Sequence, residues 1–146
     1  MTATEPDPRH RMVIKAELAE LARLATWAEA FARSARLSAN LLFAIQLCIE
    51  EAVANIIMYS GAAERREDVA VELMQAGDDV VAIIEDGGRS FDPTTAPAHR
   101  KPTTIEEAQV GELGIHLMRS FSAGIKYERR DGRNRLTLRF NPAHAA

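Results

Sequence analysis

The chain predicts an α+β domain in which helices lie against a mostly antiparallel sheet, and three observations predict it. Two pairs of alternating apolar segments, each pair joined by a short glycine-bearing turn, read as hairpins. Two long segments between residues 17 and 59 repeat apolar residues at helical spacing. The 146 residues, 47% hydrophobic and 27% charged, suit one domain large enough to bury a core.

Residues 1–11 read as a flexible tail, because Pro6 and Pro8 interrupt pairing and few apolar groups are available to dock it. Residues 12–140 then form the domain. Met12, Val13 and Ile14 predict a first strand, and Leu18, Leu21, Leu24, Ala28 and Phe31 predict an amphipathic helix over 17–36. Ser38 offers a cap to a second helix over 39–59, which Gly61 ends. That helix is apolar on most faces, so it is expected to be central, between the first helix and the sheet. After a charged connection at 64–68, residues 69–75 and 80–86 form a hairpin about Gly77. From 87 to 111 Gly, Pro, Thr and charged residues replace periodic apolar ones. A connection of that length in a small domain predicts a lid or binding loop. A short helix over 113–121 follows, then strands over 125–130 and 135–140 around the turn at 131–134, and a tail over 141–146.

Composition removes several function classes. A net charge of −3 offers no basic face for nucleic acid. By inspection no apolar run reaches the roughly 18 residues of a bilayer span, and the first ten residues lack the pattern of a signal peptide, so no membrane partner is expected. A single cysteine, Cys48, and no export signal point to the cytoplasm, with Cys48 a buried small hydrophobe. The four histidines have no metal-ligand spacing, and there is no nucleophile elbow. Trp27, Phe31, Phe43 and the methionines are assigned to packing, and Phe91 and Pro93 to pinning the loop.

The anomaly lies in the second helix. LCIEEAVANIIMYS carries Glu50, Glu51 and Asn55 among residues that should be buried, although carboxylates and amides are rarely enclosed without partners. Glu51 and Asn55, four apart, share one face. Two further stretches join them. Asp86 ends an apolar strand, two residues before Gly88, where backbone can approach a flat ligand and a carboxylate can accept from an exocyclic amine. Gly111 and Gly114 stand at a helix start, where free amides and the helix dipole favour phosphate. Each stretch alone has a duller reading: a wet seam of a helix, an ordinary turn, a common helix start.

Together, in this order and over residues 12–140, EEAVAN, EDGGRSFDP and VGELG resemble the small anti-sigma-factor serine/threonine kinases of bacterial partner switching. These are a branch of the ATPases sharing the histidine-kinase and gyrase nucleotide fold. LGIHLMRSFSAGIKYERRDGRNRLTLRF closely resembles the last helix and hairpin of that family. The resemblance implies a two-layer α/β sandwich of the Bergerat type, with the antiparallel sheet covered on one face. It implies ATP and Mg²⁺ as ligands, Asn55 as the residue holding the metal, and Glu51 as the general base. It also implies that Asp86, with Gly88 beside it, reads adenine, that Gly111, Leu113 and Gly114 cover the phosphates, and that Asn134 lies near adenine. The implied partners are an anti-sigma factor antagonist of the STAS-domain type, a sigma factor or other response regulator, and a second copy in a homodimer. Glu112 stands where many relatives have another lid glycine. That bulk and charge favour a second reading, a protein-binding switch module without catalysis and with weak or no nucleotide binding.

Overall fold

In the computed structural model, which describes residues 9–62, 64–65, 67–95 and 113–145, the first strand is longer than its three apolar residues suggest. β1 (Arg9–Lys15) pairs antiparallel with β2 (Asp68–Ala76), from Arg9 opposite Met74 to Lys15 opposite Asp68. Residues 9–11 therefore belong to the sheet and not to the tail, because ladder pairing uses backbone groups and needs no apolar side chain.

The helix expected over 17–36 is two pieces. Glu17 is extended and provides no side-chain cap, so the chain enters through a 3-10 turn (Leu18–Glu20) before α1 (Leu21–Ala35). α1 stops where Arg36 turns left-handed (φ 57) and the Leu37 N–H returns to the Ala32 carbonyl at 2.9 Å. α2 (Ala39–Tyr59) starts on its predicted cap, with Ser38 Oγ accepting from the Leu41 N–H at 3.1 Å. It ends at Ser60 and Gly61 (φ 78).

α2 corrects one expectation. It alone among the described helices is long and apolar enough, by length and composition, to cross a bilayer, whereas the sequence reading found no such run. Two adjacent carboxylates interrupt the run without lowering a 21-residue helix below that level. Here 56% of the span is buried inside the protein, and Cys48, Ile49 and Val53 are fully enclosed. Burial also pushes the Cys48 thiol up to about 12, with Glu51 adding to the effect, so the thiol behaves as a small apolar group.

β2 and β3 (Asp79–Asp86) form one hairpin through Gly77 and Asp78. β4 (Gly124–Arg130) and β5 (Arg133–Phe140) form the other through Asp131 (φ 52) and Gly132 (φ 75), the pair of positive angles a tight two-residue turn requires. The strand order is β1-β2-β3-β5-β4, antiparallel throughout. β5 starts at Arg133 and not at 135, which brings Asn134 into the ladder opposite Asp86. Leu73, Ala82, Ile84, Leu138 and Phe140 line the inner face under α1 and α2. α3 (Leu113–Phe121) leads into β4. The expected C-terminal tail contains a helical turn, α4 (Pro142–Ala145), with Pro142 in its first position and the Ala143 N–H donated to Asn141 Oδ1 at 2.9 Å.

The packing expectation holds for Phe31 and Met118, which are buried, and fails for Phe43 and Met58, which are 56% and 49% exposed. Both lie on the side of α2 turned away from the sheet. Phe43 makes an edge contact with Phe121, 5.8 Å between ring centres.

Candidate active site

Two clusters of polar groups face each other across the inner side of the sheet. The first is on α2. Asn55 is 3% exposed, and its Oδ1 accepts no hydrogen bond among the described residues. One turn earlier, Glu51 is half-buried, and burial raises its carboxyl above the ordinary value. Glu50 is also raised, by burial first and then by Glu51. The start of α3 packs directly on this pair. A Cβ at Gly114 would lie 2.9 Å from Glu51 Oε2 and 3.5 Å from Asn55 Nδ2, so any side chain there would displace the carboxyl.

The second cluster is at the end of β3. Asp86 is 1% exposed. Its Oδ2 accepts from the Gly88 N–H at 2.9 Å and from Asn134 Nδ2 at 3.1 Å, while its Oδ1 is buried with no partner among the described residues. Gly88 also has a reason within the fold itself. A Cβ there would meet the Ser60 carbonyl oxygen at 2.5 Å and Ser60 Oγ at 2.6 Å, so the close approach is to the end of α2. Ser60 joins the two clusters. Its carbonyl accepts from the Arg89 N–H at 2.8 Å, its Oγ donates to the Ile56 carbonyl at 2.7 Å, and Arg89 Nε donates to the Tyr59 carbonyl at 3.0 Å.

Between the clusters lies a small, partly open cavity. Asn55, Asp86 and Asn134 line it, with Ile56, Phe91 and Leu136 among its apolar walls. Phe91 stacks on Tyr59 at 5.5 Å, and Pro93 is buried, so both pin the loop and also wall the cavity. Tyr127, absent from the sequence reading, lines it as well. Its signal was the alternation of Ile125, Tyr127 and Arg129, which puts all three on one face of a strand. The register that brings them to Asn134 is a long-range property.

Of the residues predicted from sequence, the structure brings Glu51, Asn55 and Gly114 together, and Asp86, Gly88 and Asn134 together, and of these Asn55, Asp86 and Asn134 line one cavity. Leu113 is the first residue of α3. Gly111 and Glu112 lie outside the described residues. Buried acceptors left without a donor are uncommon and point to a missing partner. Asp86 Oδ1 calls for an N–H donor and Asn55 Oδ1 for a donor or a cation, and an aminopurine nucleotide with a hard metal ion brings both.

The model of the histidine kinase-like ATPase domain matches residues 14–140, nearly the whole chain. The chain belongs to this family. It is also 37% identical, over 112 residues, to the serine/threonine-protein kinase BtrW of Bordetella bronchiseptica, a match covering 77% of this chain and 79% of that protein. The resemblance read from the three stretches is thus borne out. So is the α+β fold of a histidine kinase-like ATPase, five antiparallel strands with helices packed on one face.

Proposed function

We propose that this histidine kinase-like ATPase domain is an ATP- and Mg²⁺-dependent protein kinase that phosphorylates a serine or threonine of an anti-sigma factor antagonist of the STAS-domain type. In alternation it holds a sigma factor or comparable regulator, and it works in the cytoplasm. The observation that carries this reading is Glu51, against the start of α3 and one turn from Asn55, which lines a cavity shared with Asp86, whose Oδ1 is unpaired among the described residues. The name of the similar Bordetella protein supports the kinase class.

In this mechanism Asp86 accepts from the exocyclic amine of adenine and sets the base at one end of the cavity. Asn55 Oδ1 would hold the metal, which when bound neutralises charge on the phosphates. The start of α3 packs on the same pair, where the free amides of a helix start would favour phosphate. Glu51 accepts the proton of the attacking hydroxyl as its oxygen bonds to the γ-phosphorus. The bond from that phosphorus to the bridging oxygen breaks, ADP leaves with the electron pair, and the proton passes from Glu51 to water. A carboxyl raised by burial suits this role, because a base works best when its pKa lies nearer the working pH.

Labelled ATP, Mg²⁺ and a STAS-domain protein encoded near this gene should give a phosphoserine or phosphothreonine on that protein, and Glu51→Ala should abolish it. Transfer at the wild-type rate in Glu51→Ala would remove Glu51 as the base. The second reading, a switch module without catalysis, draws on Glu112. It predicts no ATP binding by calorimetry at millimolar nucleotide, where the kinase reading predicts a saturable isotherm. A homodimer is also proposed, supported by the exposed Val13 and Leu18 at and just after β1. Sedimentation that gives a monomer at all concentrations would exclude it.

A further inference from the structure

Asp86, Asn134 and Arg129 stand side by side on three adjacent strands, Asp86 opposite Asn134 across β3 and β5, and Asn134 opposite Arg129 across β5 and β4. Every polar atom of the Asn134 side chain is committed. Its Oδ1 accepts from the Phe91 N–H at 3.2 Å, from Arg129 Nη1 at 3.1 Å and from the Tyr127 hydroxyl. Its Nδ2 donates to the Arg89 carbonyl at 2.9 Å and to Asp86 Oδ2 at 3.1 Å. An arginine and a backbone N–H only donate, and a carbonyl only accepts, so this amide has one orientation. Because the single Tyr127 proton goes to Asn134, Ser90 Oγ, 3.3 Å away, is the donor to Tyr127. Arg129 Nη1 also donates to the Gly88 carbonyl at 2.7 Å, on the residue whose N–H holds Asp86.

We propose that Arg129 and Tyr127 are positioning residues for base selection. Neither has to touch the nucleotide for this. They lock the Asn134 amide so that it donates to Asp86 Oδ2, and they thereby present Asp86 Oδ1 to the cavity as a pure acceptor. A base with an amine at that edge is accepted there. One with a carbonyl places lone pair against lone pair and is refused. Were the amide to turn over, its oxygen would oppose Asp86 Oδ2, and the carboxylate would lose its orientation. This inference rests on the ATP reading above.

The test is the affinity of the full chain for ATP and for GTP, both with Mg²⁺, by competition against a fluorescent ATP analogue. Tyr127→Phe, Arg129→Met, their combination and Arg129→Lys are compared with wild type, and circular dichroism confirms the fold. The ATP preference should fall about tenfold in the double variant, mostly through weaker ATP. Tyr127→Phe alone should lower it about threefold. Lysine at 129 should recover part of the preference, since it still donates. A purely structural role weakens both nucleotides alike, so a ratio unchanged in both variants would overturn the proposal and leave the ATP site standing. A wild-type chain that binds neither nucleotide would overturn the ATP reading itself, and this proposal with it.

Discussion

Glu51 is a half-buried carboxyl on the helix that forms the core, and that position governs both its reactivity and its cost. As the proposed base it should be dispensable for ATP affinity and needed for transfer. Glu51→Gln is expected to bind ATP within about threefold of wild type and to lose on the order of 10²- to 10⁴-fold in single-turnover phosphoryl transfer. Two glycines give contrasting outcomes. At Gly88 the obstacle is the Ser60 backbone, which has no room to move, so Gly88→Ala should cost about 1–3 kcal/mol in denaturant unfolding. At Gly114 the obstacle is the end of the flexible Glu51 side chain. Gly114→Ala should therefore keep nearly full stability while transfer falls as Glu51 is displaced.

At the scale of elements, α2 links core and chemistry. One side packs on the sheet through Cys48, Ile49 and Val53, and another carries Glu51 and Asn55. Its first free amides depend on Ser38, so Ser38→Ala should cost about 1 kcal/mol by chemical unfolding without changing nucleotide affinity. α2, β2, β3 and α3 were legible because each announces itself locally, through a cap, a period or a glycine. The turn at Asp131 and Gly132 was legible as well, but the start of β5 was placed two residues late. That error hid the ladder partnership of Asn134 with Asp86 and Arg129, which depends on register between strands far apart in sequence. Glu51, Asn55 and Asp86 stood out because polar groups in apolar runs are anomalous. Tyr127, Arg129 and Ser60 did not, since each sits in a locally ordinary context. Phe43 looked like core because its apolarity shows in sequence while the side of α2 it occupies does not.

At the scale of the molecule, the raised carboxyls of Glu50 and Glu51 couple stability to pH. A carboxyl raised in the folded state holds its proton more tightly there. Its stabilising contribution is present below the unfolded value and is lost as pH rises through the folded one. Thermal melts should thus show Glu51→Gln gaining on wild type as pH rises above 4.5, the ordinary carboxyl value, with little difference below it. Because Asn55, Asp86 and Asn134 share one cavity, the proposed nucleotide would tie α2 to β3 and β5 at once. The central claim is that Asp86 Oδ1 reads the base, and Asp86→Asn tests it with minimal change of shape. The amide oxygen takes over the bonds from Gly88 and Asn134, which leaves its NH₂ facing the cavity as a donor in place of an acceptor. Calorimetry with Mg²⁺ should then show ATP affinity lowered on the order of a hundredfold and GTP bound at least as well as by wild type. Wild-type ATP affinity in Asp86→Asn would contradict the assignment.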